Sequence, residues 1–490
     1  MMAFPDWVLQ QKKRGYEIKC IRGNYYLYKL KSKWDPERGK ARKVSGEYIG
    51  KVTPDGIVLK KKKVDASAPV FALEFGAAKL VESLSGDVLD ILATHFPKDI
   101  AERIYVTAMI RLISPCPFSR VADHYATSWL SCDMPGLALS PSSITSLLDM
   151  IGNNRSAAAA FMRDTSGRSP YYLVDGTRTV TASDNIFRAE RGHSHTKGFL
   201  PQINQVYVMG ISKSGGVPVF YRNVAGNIPD VTALKLTLKD AGIKDATFIA
   251  DTGFASADNF SLLGDIGLDY LVPLKRNTTE VDLSEVVFNE VFTYHGRAIS
   301  ACSITKDKHR IVVFRDEKLR SCEMADFVGR AEKANAAKIA KKRYDPAKDT
   351  LHDIATETAE KTSQFGVIII RTSITATSSQ SIYETYKLRW QIEELFDTMR
   401  NVCEQDASYM HDDTGFEAWS FIGHITLMVA CMILALLKEK KLSKIWSLAG
   451  ILDHLSRIYA VQVADEWKVA ETTKKTRDLA AKLGLDLSIS

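Results

Sequence analysis

The spacing of apolar residues changes several times along this chain, and each change marks a new group of elements. From Glu17 to Leu59 the pattern is strand-like, in YYLYKL, KVSGEYIGKV and GIVLKKKK. Turn signals separate these pieces at Arg22-Gly23-Asn24 and Pro54-Asp55-Gly56. Lys60 to Lys63 and the ASAP that follows read as a linker. From about Phe71 to Met162 the period is helical. Leu73, Ala77, Leu80 and Val81 share a face, then Val88, Ile91 and Leu92, then Ile104 to Leu112, with breaks at Pro97, Pro115, Pro117, Pro135 and Pro141.

A different texture follows. Tyr171-Tyr172-Leu173-Val174 is a short apolar strand ending on Asp175, and Val206–Ile211 with Val217–Arg222 form a hairpin across Lys213-Ser214-Gly215-Gly216. Val231–Ala241 is helical, and Thr247–Ala250 is a second apolar strand, ending on Asp251. A helix at Ala255–Leu263 and a strand at Tyr270–Leu274 complete a β-β-β-α-β-α-β order. Residues 276–362 interrupt this core with strand-like pieces (Val287–Tyr294, Ala298–Ser303, Arg310–Phe314) and a charged helical stretch containing KIAKKR at 338–343. The core resumes at the buried strand Gly366–Arg371. The apolar run Phe421–Leu437, inside a helix at 417–438, contains Gly423, His424 and Thr426, which suits a buried core helix better than a membrane span.

Ser381 to Cys403 is expected to be one long helix, opened by a Ser381/Glu384 capping box and free of Pro and Gly. Leu388, Ile392, Leu395 and Met399 form its packing stripe. At about 100° per residue, Tyr386, Arg389, Glu393 and Arg400 form a second stripe. On spacing alone, a solvated face with an Arg389/Glu393 i,i+4 pair is the simpler reading.

Charge shifts that balance. The chain carries +7 overall, yet residues 1–65 hold 17 Lys and Arg against 7 Asp and Glu, so the excess lies in the N-terminal module. Its tyrosines (25, 26, 28, 48) alternate with lysines, which suits a surface lying on a polyanion, nucleic acid before membrane. The seven cysteines are scattered without a C-x-x-C pair, which argues against a disulfide framework and a structural zinc. MMAFPDWVLQQKKRG has no charged n-region followed by an apolar stretch, so a cytosolic location is expected.

Asp175, Asp251 and Glu393 are the candidates for chemistry. Each aspartate closes an apolar strand before a loop signal, DGT or DTG, where open α/β sheets gather functional groups. Taken singly, each is as readily a turn or cap residue. Three carboxylates brought together repel and would share hard divalent cations. Two such ions about 4 Å apart can drive phosphoryl transfer. Arg389 and Arg400 would bind phosphate oxygens, and Tyr386 could donate a hydrogen bond or stack on a base. Glu394 and Asp397 compete on the same helix, with Glu394 pointing about 100° away. His193, His195 and His424 read as packing or loop residues.

Tyr386-x2-Arg389-x3-Glu393-x6-Arg400 resembles the Y-x2-R-x3-E-x6-K signature of bacterial insertion-sequence transposases of the DDE type, with Arg in place of the last Lys. VDGT around Asp175 and IADTGF around Asp251 resemble that family's first two acidic motifs, and the β-containing insertion before the glutamate is also similar. The resemblance covers about residues 165–440. It implies an α/β ribonuclease-H-like core, a mixed sheet flanked by helices, with Asp175, Asp251 and Glu393 holding two Mg²⁺, for which Mn²⁺ can substitute. Tyr386, Arg389 and Arg400 would then hold DNA near the cut. It further implies cleavage at element ends and joining of the 3′-hydroxyl to target DNA, by a homodimer in the DNA complex, in the bacterial cytoplasm with the nucleoid and away from the membrane. The expected division is a basic β-rich DNA-binding module (1–64), a helical domain (65–165), the core's first part (166–275), the insertion (276–362), the core's second part (363–440) and a C-terminal helical segment (441–490). Two alternatives remain open at this point: a ribonuclease-H-like nuclease without strand transfer, and a catalytically silent DNA-binding relic.

Overall fold

The computed structural model describes residues 4–36, 38–60, 70–165, 169–194, 198–212, 215–226, 228, 230–306, 309–340, 351–463 and 466–489. The linker from Lys61, the turn Lys213-Ser214, His195 and the KIAKKR run from Lys341 onward lie outside these. The chain forms two units, Met1–Phe71 with Gln462–Glu466, and Ala72–Val461 with Trp467–Ser490.

The first unit holds helix α1 (Asp6–Leu9) and the strands β1 (Tyr16–Ile21), β2 (Asn24–Asp35), β3 (Lys40–Thr53) and β4 (Gly56–Leu59). They pair antiparallel in chain order. The first turn works as the sequence indicates, because Arg22 and Gly23 both take positive φ between the paired Ile21 and Asn24. The core of this unit is small: Val8, Ile18, Leu27 and Val52.

In the second unit a short strand, β5 (Phe71–Glu74), leads to the helices α2 (Gly76–His95), α3 (Lys98–Ile113), α4 (Val121–Ala126), α5 (Leu130–Asp133), α6 (Pro141–Gly152) and α7 (Arg155–Thr165). Next come β6 (Tyr171–Thr181), β7 (Glu190–Ser194), β8 (Gly198–Ser212), β9 (Gly215–Ala225), α8 (Asp230–Ala241), β10 (Thr247–Ala250), α9 (Ala257–Asp265) and β11 (Asp269–Leu274). After them lie β12 (Glu290–Tyr294), β13 (Arg297–Lys306), β14 (His309–Asp316), α10 (Glu317–Ile339), α11 (Ile354–Glu360) and β15 (Val367–Thr372). The chain continues with α12 (Ser379–Lys387), α13 (Trp390–Asn401), β16 (Ala407–Ser408), α14 (Asp413–Glu439), α15 (Leu448–Leu455), β17 (Tyr459–Val463), β18 (Glu466–Val469) and α16 (Lys474–Leu483), so the C-terminal segment expected to be helical also holds two strands.

One mixed sheet runs through this unit in the order β12-β13-β14-β15-β11-β10-β6-β8-β7, with β9 on β8 and β16 on β6. β6, β10 and β11 form the parallel centre, and the short β16 also pairs parallel with β6; the neighbours β15 and β8 are antiparallel. Helices flank it, as expected. Residues 276–362, set apart by their texture, add strands to this same sheet, because β14 pairs with β15 from Arg310↔Thr372 to Arg315↔Val367. Gly366 makes the approach to β15 possible: it has φ 73°, and a Cβ there would meet the Asp316 carbonyl at 2.6 Å.

α14 is apolar on every side and is packed on every side, against β9 and the helices α2, α3 and α6. Its most apolar stretch is 78% buried inside the protein, as the core-helix reading expects. His424 on this helix is fully buried between Tyr207 and Tyr221, at ring distances of 6.3 and 5.5 Å. Burial, with Arg155 adding to it, pushes its pKa down to about 3. Above its ordinary value of 6.5 the ring is neutral folded or unfolded, and this contribution to stability is complete. As pH falls from 6.5 toward 3 the unfolded chain takes the proton and the native one does not, so stability drops. A pH series of melting midpoints should therefore be flatter in His424→Leu than in the wild type over that window; parallel curves would contradict this.

Candidate carboxylate site

The site is assembled at the centre of the sheet. β10 runs parallel to β6 with Thr247 opposite Tyr171 and Ala250 opposite Val174, so Asp251 and Asp175 come next on adjacent strands. Strands so paired lie about 4.8 Å apart and partners share a face. Beyond Ala250 the chain turns away through a 3₁₀ turn, Thr252–Phe254, anchored by the buried Phe254. This leaves Asp251 half exposed on the rim. Asp175 differs from expectation: it does not end its strand. β6 runs on to Thr181, held by β8 on one side and by β16 at its far end, and Asp175 stands where its parallel neighbour stops. Its Oδ1 accepts a hydrogen bond from the Gly176 amide at 2.8 Å.

The third carboxylate arrives from the helices. Tyr207 is paired across from Asp175, and its ring meets Phe396 of α13, which places this helix over the aspartates' face of the sheet. The single helix expected over Ser381–Cys403 is in fact two. Leu388, Arg389, Gln391 and Ile392 donate to residues three back (Thr385, Tyr386, Leu388 and Arg389) rather than four. The backbone tightens there without Pro or Gly, a local 3₁₀ step of the kind found at working sites. The cap also differs: Ser378, not Ser381, accepts from the Ser381 amide, and Glu384 pairs with Gln380. Arg389 caps α13, and Glu393 lies in its first turn, where the helix dipole favours a carboxylate. Ile392, Leu395 and Met399 are buried as expected; Leu388, at the break, is only partly so.

Arg389 ties the set together. Its Nη1 lies 3.6 Å from Asp251 Oδ1 and its Nη2 3.3 Å from Glu393 Oε1. Burial pulls its pKa down, but Tyr386, Asp251, Glu393 and Asp175 outweigh that and raise it, so the guanidinium stays charged. Burial also raises the Tyr386 hydroxyl against the pull of Arg389, which keeps it protonated and able to donate. Five of the six residues singled out in the sequence therefore converge. Arg400 does not: it is exposed, two turns beyond Glu393, and takes part in no ion pair among the described residues. Glu394 points away, to Lys438 at 3.5 Å. Glu394→Gln should accordingly cost any activity of this site less than tenfold while Glu393→Gln removes it; equal losses in a cleavage assay would mean the wrong face has been assigned.

Sequence reasoning missed two features. Arg389, whose pair with Glu393 the spacing allowed, also engages Asp251 from another strand. Trp390 beside it is 64% exposed on the first turn of α13, offering a flat apolar face at the rim. The signal was a bulky aromatic lying on neither the packing stripe nor the polar one.

Three carboxylates on rigid elements, Asp251 and Glu393 half exposed and Asp175 partly buried, are hard oxygen donors of the type Mg²⁺ takes. Among the described residues no three acid, His or Cys side chains are gathered closely enough to grip one ion. The donor chemistry fits a divalent cation, and seating one between Asp251 and Glu393 would require the guanidinium to move aside.

A mixed sheet presenting two aspartates on adjacent parallel strands, with a glutamate lowered onto them by a helix, is a carboxylate site of the sort that serves phosphoryl transfer. The family described as the transposase DDE domain matches residues 170–429, more than half of the chain and a span that includes Asp175, Asp251 and Glu393. The chain belongs to that family. Among solved structures it is similar to a piggyBac transposase synaptic complex with hairpin DNA, at 10% identity and a TM-score of 0.41, over 83% of this chain and 82% of that one. Among curated proteins no match is found.

Proposed function

We propose that this protein is the DNA transposase of a bacterial insertion sequence, cutting at the element's ends and joining the freed 3′-hydroxyl to target DNA. Asp175, Asp251 and Glu393 would hold two Mg²⁺, with Mn²⁺ able to substitute, on a core of the ribonuclease-H-like kind. The observation that carries this reading is Arg389 bridging Asp251 and Glu393, with Asp175 next to Asp251 on the adjacent strand, all within the span of the family match. Ions bound there would supply an activated water or 3′-hydroxyl and stabilise the leaving oxygen.

The chain's own residues do the rest. Arg389 balances the acids and, released from them, reaches a phosphate with a fixed bidentate fork. Tyr386 donates from a hydroxyl that burial keeps protonated. Glu393 is aimed by the buried Ile392, Leu395 and Met399 behind it. Arg400 would meet phosphate further along the duplex. The first 64 residues would serve as a DNA-binding module and 65–165 as a helical domain, either a scaffold or a second DNA contact, in a homodimer working on nucleoid DNA in the cytoplasm. Removing residues 1–65 should weaken duplex binding and flatten its salt dependence; an unchanged log–log slope would refute that role.

The experiment that tests the reading supplies a pre-cleaved element end, target DNA and Mg²⁺ to the purified protein. Strand-transfer product is the expected result. Cleavage of intact ends without any joining would favour a nuclease that only hydrolyses.

A further inference from the structure

The N-terminal unit carries a projecting arm. β1 pairs with β2 only as far as Tyr16↔Lys29, and β4 pairs with β3 only from Gly50 to Thr53. At the root Leu30 still donates to the Gly15 carbonyl and Ser45 to the Glu17 carboxylate; beyond it, among the described residues, β2 and β3 have only each other, through Lys31↔Val44, Ser32↔Lys43, Lys33↔Arg42, Trp34↔Ala41 and Asp35↔Lys40. Register shifts between Leu27 and Leu30 mark the root of this ribbon, the kind of irregularity that bends and re-aims a hairpin. Among the described residues no third strand pairs with it and no apolar core lies under it, since the buried hydrophobic residues of this unit's cluster (Val8, Ile18, Leu27 and Val52) all lie outside it.

Its two faces differ. Paired residues share a face, so Lys31, Lys33, Lys40 and Arg42 stand together on one side with Asp35 and Val44. The other side carries Trp34, Lys43 and the small residues Ser32 and Ala41, with Leu30 and Ser45 at its root. The four cations of the first side are exposed, and none has an ion-pair partner among the described residues. Like charges this close repel one another and would be relieved by a polyanion. At its far end Trp34 is 62% exposed, a large apolar surface beside lysines rather than in a core.

The geometry points to this ribbon, residues 31–35 paired with 40–44, as a DNA-reading arm that enters the major groove. The inference rests on the DNA substrate proposed above and specifies how that DNA is gripped. Two strands side by side, each carrying its side chains, are of a size with the major groove, about 12 Å wide, and too broad for the minor groove at about 6 Å. The long Lys and Arg side chains of the cationic face extend outward to the phosphates that flank the groove. The face with Trp34 and the small residues meets base edges, where an apolar ring suits the thymine methyl. A-form RNA, whose major groove is deep and narrow, would be a poor fit.

The test uses the full-length protein and a mixed-sequence DNA duplex about 30 base pairs long, with binding followed across a salt series. Lys31→Gln/Lys33→Gln/Arg42→Gln alters only exposed positions, and an unchanged melting midpoint confirms that the fold is kept. The log–log salt slope should fall by about 2–3 in this variant, close to 0.9 for each phosphate that is no longer neutralised. Methylation of guanine N7, which lies in the major groove, should interfere with wild-type binding, and duplex RNA should compete poorly. A wild-type slope in the variant, no effect of N7 methylation, or equal competition by RNA would overturn the arm while leaving the DNA reading intact. Failure of the wild-type protein to bind duplex DNA at all would overturn both.

Discussion

Asp175→Asn, Asp251→Asn and Glu393→Gln should each reduce DNA cleavage by on the order of 10³-fold or more, while binding of the DNA end changes little. The reasoning starts from position. Asp251 and Glu393 are 50% and 39% exposed, so the amide variants disturb no core packing and leave no buried charge unpaired. Asp175 and Asp251 lie side by side where β10 ends, and Glu393 is joined to Asp251 through one guanidinium. Groups acting as one unit fail together, so a double variant should be scarcely worse than a single one. A gel assay of end cleavage, paired with a binding isotherm for the same variants, checks both halves. Wild-type cleavage by the Glu393 variant would end the assignment.

The second large effect concerns the helix that backs the site. Trp419 is fully buried in α14 and packs against Phe416 at 5.4 Å between ring centres. Trp419→Ala would open a cavity in the layer between the sheet and the N-terminal helices, at a cost of about 3–5 kcal/mol. Calorimetry should show the main transition several degrees lower. A loss below about 1 kcal/mol would mean that α14 is not the core element its burial indicates. α13 rests on α14 as well as on the sheet, so the same substitution should also lower activity at temperatures where the protein is still folded.

These two expectations drew unequally on the sequence. The aspartates were visible because each follows an unbroken apolar run, and α14 because no polar face interrupts it. Glu393 was visible through the buried stripe of Ile392, Leu395 and Met399 on its own helix. Other features had no local signal. The extension of β6 past Asp175 depends on Asp-Gly-Thr-Arg-Thr, residues that read as a turn until β8 pairs with them. The break at Arg389 is made by four amides donating three residues back, and nothing in Leu388-Arg389-Trp390 forbids an ordinary helix. The joining of β14 to β15 spans some fifty residues of chain, a pairing that periodicity within either strand does not encode. Arg389 and its i,i+4 partner Glu393 were legible from spacing along one helix, but its second partner, Asp251, arrives from the end of β10, which that spacing cannot reveal. The basic ribbon was legible as charge and alternation; that it projects beyond its sheet follows only from where β1 and β4 stop.

Three carboxylates from two strands and a helix are proposed to act as one cation site, and the most direct test counts Mn²⁺ bound to the full chain, by electron paramagnetic resonance, in the presence of a DNA end. Wild type should hold Mn²⁺ that Mg²⁺ displaces, and Asp175→Asn/Asp251→Asn/Glu393→Gln should hold none beyond the DNA alone. Equal Mn²⁺ binding by wild type and the triple variant would contradict it.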